Sequence, residues 1–278
     1  MHWLRHPAAR LVVEIAILAI PLNLAYRFAM QIVYRLDALW GTLFALIAAV
    51  VACNAYNLCA RFFAKRSADE LAPRRARGAL YGAGLGALLI GLVVAALALT
   101  GTAKVGEGGA FALAGLPGVA ILAAAFEELV ARGVVLRNLE NVFGSAVALV
   151  LSAALFAVLH IGNPNWTPLS IAAIGVEGGL MLGAVYVATR SLWWVFGVHA
   201  AWNFTQTGLF GIADSGHPGR GLLHNDLSGP AWLTGGAFGI EASALSVALC
   251  AIVAAGFLIH AWRRGRFVAP FWKPSHSI

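Results

Sequence analysis

An all-α, polytopic membrane bundle of about eight transmembrane helices is the fold class this sequence predicts, and three observations carry it. The 278-residue chain is 60% hydrophobic and only 11% charged, with a mean hydropathy of +0.81, whereas soluble domains are about 45–50% apolar and about 25% charged. Its apolar residues come in windows long enough to cross a bilayer, and most of its basic residues gather between windows. At about 20 residues per span plus short loops, roughly eight helices use up the chain. A single integral membrane domain over residues 1–278 is therefore expected, with no separate soluble domain.

The windows run Leu11–Met30, Leu39–Cys59, Ala79–Thr100, Leu116–Leu136, Ala146–Ile161, Leu169–Ala188, Leu192–Phe210 and Ile240–Trp262. The first carries Glu14 and Pro21 and lacks a small-residue cleavage site of the A-x-A kind, so it reads as a retained span rather than a signal peptide. Arg61, Lys65, Arg66, Arg74, Arg75 and Arg77 follow the second window, Arg263, Arg264, Arg266 and Lys273 follow the last, and Arg5 and Arg10 precede the first. With eight spans all three groups fall on one side, which the positive-inside rule makes cytoplasmic, with both termini. Arg27 and Arg35 run against this orientation. The stretch Gly101–Gly115 and the polar loop Ala213–Gly236 fall on the opposite side.

In such a chain the net charge of +7 reports orientation and contact with the anionic headgroups of the lipid bilayer, not nucleic-acid binding. Cys53, Cys59 and Cys250 form no C-x-x-C pair and suggest neither disulfides nor a thiolate metal site. Arginine supplies most of the basic residues and alanine is abundant, a composition that suits a bacterial inner (plasma) membrane protein from a GC-rich genome.

Against this background the run FEELVAR, Phe126 to Arg132, is anomalous. A charge at the bilayer centre costs at least about 2.5–3.5 kcal/mol. Glu127 lies about ten residues into its window, which at 1.5 Å per residue is close to mid-depth. Glu128 and Arg132 are spaced i,i+4 and share a helix face, so they can pair. Glu127 is rotated about 100° away and must point at something else. Other windows supply candidates: LFAVLHIGNPN places Phe156 one turn before His160, and GVHAAWNF places His199 and Asn203 on one face.

Taken singly, each residue has an ordinary structural explanation, as an interhelical hydrogen bond or an internal ion pair. Two glutamates, an arginine, two histidines and an asparagine over three spans form a set that a purely structural bundle has little reason to carry. A glutamate in a low-dielectric pocket is a competent general base, a histidine beside it orients water, and a second histidine with an amide supplies donors for an oxyanion. With no serine or cysteine in a nucleophile context, water is the natural nucleophile, and hydrolysis of an amide within the membrane follows.

The motifs EELVAR, FAVLH and HAAWN, in that order on three apolar helices, resemble the CPBP family, which includes CAAX prenyl endopeptidases and bacteriocin-processing intramembrane proteases. The resemblance covers about Leu116 to Phe204, a motif-bearing core. It implies a glutamate-dependent intramembrane endopeptidase acting on a membrane-associated peptide or protein tail without a cofactor. Glu127 and His160 would activate water, His199 and Asn203 would stabilise the oxyanion, and Glu128–Arg132 would hold the helix, with Phe156 in support. The family carries a bulky aromatic before the arginine where this chain has Ala131, a change expected to touch packing or substrate fit.

Three other readings use the same residues. Glu127, His160 and His199 are of ligand type and would suit a metal-dependent protease, although no HExxH is present. A non-enzymatic immunity or peptide-binding protein is a second. A transporter with a carboxylate–histidine relay is the third, but no internal repeat accompanies it. Glu177, between glycines in GVEGGLML, either lines the cavity or bonds across helices. His217, His224 and Asp226 have no tidy metal spacing, and their loop reads as a lid or a solvated segment.

Overall fold

The computed structural model describes residues 7–35, 37–109 and 111–272, with no side-chain description for 7–11, 34–35 and 111–115. Arg5 and Lys273 therefore lie outside the described residues, as do the side chains of Arg10 and Arg35. The chain folds as a helical bundle. Helix α1 (Pro7–Arg35) is followed by α2 (Ala38–Phe63), whose first turn is capped by Asp37 accepting from Trp40 N at 2.9 Å. After two short 3₁₀ turns comes α3 (Arg77–Leu99), then strand β1 (Ala103–Glu107). Helix α4 (Phe111–Glu128) continues through a π-helical stretch, Leu129–Leu136, into α5 (Arg137–Leu159).

The second half repeats this device. Helix α6 (Pro168–Ile174) passes through the π stretch Gly175–Met181 into α7 (Leu182–Thr189), and α8 (Leu192–Asn203) runs into the π stretch Phe204–Leu209. Strand β2 (Leu223–Leu227), a single turn α9 (Ala231–Thr234) and α10 (Ala244–Arg263) complete the chain. The strands pair antiparallel, Ala103 with Leu227 and Glu107 with Leu223. The Gly-rich stretch and the polar loop, expected at the same end of the bundle, thus meet there.

The polarity of the surface is that of a protein in lipid. On α3 the residues turned inward are largely Gly78, Gly82, Gly86, Leu89 and Val93, while Leu80, Tyr81, Leu88 and Leu92 are exposed. Val150, Val158 and Leu159 are likewise exposed on α5. A soluble protein would bury these large side chains.

Among the described residues six stretches are long and apolar enough to cross a membrane, so length and composition alone do not reach the expected eight. The difference has two sources. The fourth and fifth windows form one stretch of 44 residues, Leu116–Leu159, about twice a bilayer's thickness if straight. It turns at Gly144 (φ 75°, ψ 168°), a conformation that favours glycine. The C-terminal segment packs over that turn, with Ser145 N donating to Val268 O and Val268 N to Ser145 Oγ. The seventh window forms a helix of 12 residues extended by six π-helical ones, and His199, Asn203 and Gln206 make that stretch too polar to count as a span on composition.

Helix α8 is held by unusually close contact with α3. A Cβ on Gly82 would overlap Trp194 O, one on Gly86 would overlap Val198 O, and one on Gly197 would overlap Ala79 O. Small residues at four-residue spacing let helix backbones touch in this way. Because those contacts are to backbone, Gly82→Val should lower the thermal midpoint of the purified protein, costing at least about 1–3 kcal/mol. Gly84→Ala, at a position facing open space, should leave it unchanged.

Candidate active site

Glu127 and Glu128 end the regular part of α4, at the point where the helix widens into the π stretch carrying Arg132. Such widenings are rare and cluster at functional sites. The expected ion pair is present: Arg132 Nη1 lies 2.8 and 2.7 Å from the two carboxylate oxygens of Glu128. Both side chains are essentially buried, at 2% and 0% exposure. Arg132 Nη2 donates to the backbone carbonyls of Gly178 and Gly179, and its guanidinium stacks 4.8 Å from the centre of the Phe156 ring.

Glu128 has a second partner that the sequence did not disclose. His199 Nδ1 is 2.8 Å from Glu128 Oε1. A carboxylate accepts, so Nδ1 carries the proton and Nε2 is turned the other way. His160 is fixed similarly, with Nδ1 2.8 Å from Phe156 O and the imidazole 4.7 Å from the Phe156 ring. This is why phenylalanine and histidine stand four residues apart at the end of α5: the last turn's carbonyl orients the imidazole.

The two Nε2 atoms converge on one oxygen. His160 Nε2 and His199 Nε2 each lie 4.0 Å from Glu127 Oε2. Glu127 is thus apart from the Glu128–Arg132 pair, as the 100° rotation requires, and faces both histidines. Asn203, one turn beyond His199, lines the same cavity, and its side-chain amide makes no hydrogen bond among the described residues. All seven residues singled out from the sequence therefore gather around one centre.

That centre opens on a cavity of about 850 Å³ with apolar walls from Leu116, Val119, Ala120, Phe126 and Leu155. Ala131 also lines it and packs against the cluster of Phe156, Ile174, Phe238 and Ala242. A bulky side chain at that position would take cavity space next to Phe156. Among the described residues no three His, Cys, Asp or Glu side chains are grouped to hold a metal ion.

The polar loop is not simply solvated. Asp214, Ser215, His217 and Pro218 fold back to line the cavity, braced by paired backbone hydrogen bonds of 2.9 Å between Asp214 and His217. His217 and Pro218 are at the same time exposed, and further along the loop His224 and Asp226 on β2 form an exposed pair at 3.1 Å. Glu241, just before α10, reaches the cavity too, held by Gln206 Nε2 and Ser215 N. Burial raises the carboxyl of Asp214 to about 6, opposed by His199, and raises that of Glu241 well above the usual carboxylate range, with Asp214 adding to the rise. Neither residue was singled out from the sequence: Asp214 stands in a polar loop with no motif around it, and Glu241 is a single acid in the first turn of the last apolar window, again with no motif beside it.

The fold and the site define a class: an integral membrane protein of helical bundle type with a buried centre of carboxylates, imidazoles and an amide around one cavity. Residues 109–205, about a third of the chain, match the family model described as type II CAAX prenyl endopeptidase Rce1-like, in agreement with the resemblance carried by the three motifs. The match includes every motif residue and ends before Asp214 and Glu241. It supports an intramembrane endopeptidase in general. No curated protein and no solved structure matches the chain.

Removing one member of a buried ion pair leaves the other uncompensated. Arg132→Met should therefore destabilise the protein by about 3–5 kcal/mol, read as a lower midpoint on heating in detergent. The double variant Arg132→Met with Glu128→Gln should recover part of the loss.

Proposed function

We propose that this protein hydrolyses a peptide bond in a membrane-associated peptide or protein tail, with a water activated by Glu127 and His160 and an oxyanion held by His199 and Asn203. The observation that carries the reading is the pair of 4.0 Å separations between Glu127 Oε2 and the two Nε2 atoms. They are too long for direct hydrogen bonds and suit a single bridging water. A water at about 2.8 Å from both ends of such a gap has an angle of about 90° at its oxygen, acceptable for two hydrogen bonds.

In this scheme Glu127 takes a proton from the water as its oxygen attacks the carbonyl carbon. His160 Nε2 accepts a hydrogen bond from the same water, its tautomer set by Phe156 O. The oxyanion that forms is met by the Asn203 amide and by His199 Nε2–H when that ring is protonated, with Glu128 as counter-ion at Nδ1. Glu127 then delivers its proton to the leaving nitrogen as the carbon–nitrogen bond breaks, giving a carboxylic acid and an amine and returning Glu127 to its carboxylate. The two histidines stand equally far from Glu127. What separates their roles is the partner at Nδ1, a neutral carbonyl for His160 and a carboxylate for His199.

Residues 116–204 form the catalytic core in this reading, within one integral membrane domain. With eight spans the positive-inside rule favours both termini in the cytoplasm, in this reading that of a bacterial inner membrane. The apolar cavity walls suit a substrate that arrives from the bilayer. A purely binding protein would need no carboxylate facing two imidazoles across a water-sized gap.

Glu127→Ala and His160→Ala should abolish cleavage while the protein still accumulates in the membrane, and Asn203→Ala should lower kcat about 10²–10³-fold. The measurement is a mass-spectrometric comparison of peptide termini in host membranes carrying wild type or an equal amount of the Glu127→Ala protein. Termini present only with wild type establish proteolysis and identify the substrate. Identical termini, with both proteins folded and abundant, would replace the endopeptidase by a binding protein.

A further inference from the structure

Glu177 has no place in the chemistry above, yet its situation is extreme. It sits in the π stretch Gly175–Met181 on the cavity wall, 3% exposed, and neither carboxylate oxygen has a hydrogen-bond partner among the described residues. A buried polar group left unpartnered costs about 1–3 kcal/mol, more when charged. The charged groups that act on it make matters worse, since they are the carboxyls of Glu241 and Asp214. Its backbone cannot turn away: Arg132 holds the carbonyls of Gly178 and Gly179 from behind, and Gly178 and Gly179 pack directly on Phe156 and Ala153.

Three carboxyl groups from three separate segments thus face the cavity that also holds Glu127. Among its described lining residues the arginines and lysines supply one counter-charge, Arg27, an exposed residue of α1. Glu241 is held by Gln206 and Ser215, so its acceptors are partly used. Glu177 retains all of its own. A carboxylate offers about four acceptor positions and an ammonium three donors, a guanidinium five. Elsewhere the cavity has apolar walls from Leu116, Val119, Ala120 and Leu155, which suits the methylene stem of a long basic side chain.

We propose that Glu177, backed by Asp214 and Glu241, forms a subsite in the catalytic cavity for a cationic group of the substrate, the side chain of a lysine or arginine. The subsite rests on the endopeptidase reading for its place in a reaction and makes the substrate a peptide with a basic residue near the scissile bond. The same chemistry could be met by a free N-terminal ammonium, which the test separates. The acids reach the cavity from outside the motif helices, so they bear on which peptide is accepted while the Glu127 centre cuts it.

The test uses the full-length protein in nanodiscs on a Glu127→Ala background, so that peptides stay intact. The probes are N-acetylated apolar peptides in which a single lysine is walked one position at a time, each with a norleucine twin, and one unacetylated norleucine peptide. The expected result is that at least one lysine peptide binds about tenfold tighter than its twin, the scale of one charge-assisted hydrogen bond. Glu177→Gln and Glu177→Met should bring that ratio to within about twofold. The methionine variant removes the orphaned oxygens and should fold at least as well.

Equal binding of every lysine peptide and its twin to the protein with native Glu177 overturns the subsite, and that comparison needs no variant here. A ratio that survives both substitutions also overturns it. Preference confined to the unacetylated peptide assigns the cation to a chain terminus and overturns the side-chain assignment. Failure of the Glu127-containing protein to cleave any peptide counts against the endopeptidase reading alone.

Discussion

Much of the site hangs on the buried contact between Glu128 and Arg132. Inside a protein the attraction of such a pair rarely exceeds the cost of taking both charges out of water. Its value here is positional. From this one pair, contacts run to His199 on α8, to the carbonyls of Gly178 and Gly179, and to the ring of Phe156 on α5. Phe156 in turn fixes His160 through its carbonyl and its ring. Both imidazoles that face Glu127 therefore take their orientation from contacts that lead back to a single arginine and its carboxylate partner.

The backbone around this junction is irregular in a consistent way. All three π-helical stretches, Leu129–Leu136, Gly175–Met181 and Phe204–Leu209, adjoin or contain residues of the cavity. A π turn widens the helix and redirects side chains; in the first stretch it begins directly after Glu127 and Glu128 and carries Arg132. Regular packing elsewhere holds these weak points in place. The α3–α8 contact, close enough to require Gly82, Gly86 and Gly197, sets where His199 and Asn203 stand.

Large apolar side chains face out as well as in, glycine and alanine make the closest helix contacts, and several carboxyl groups are inside. Four of those, on Glu127, Glu177, Asp214 and Glu241, share one cavity. Such a concentration of like charge in an apolar enclosure has an electrostatic cost, and it distinguishes the cavity from mere packing space.

The sequence by itself determined the class of fold and the identity of the motif residues. Hydropathy is a property of consecutive residues, and i,i+4 spacing on a helix implies a shared face, so the pairing of Glu128 with Arg132 and the separate direction of Glu127 were both legible. The FxxxH spacing was legible as a turn of helix, though its reason, the Phe156 carbonyl on His160 Nδ1, was not. Tertiary structure decided what depends on residues far apart: the partnership of Glu128 with His199, 71 residues away, the convergence of two Nε2 atoms on Glu127, and the turn at Gly144 that folds one 44-residue apolar stretch back on itself. It also decided that Asp214 and Glu241 enter the cavity. No local pattern marks a lone carboxylate, whether in a loop like Asp214 or in the turn before α10 like Glu241, because its environment is made by the helices that close around it.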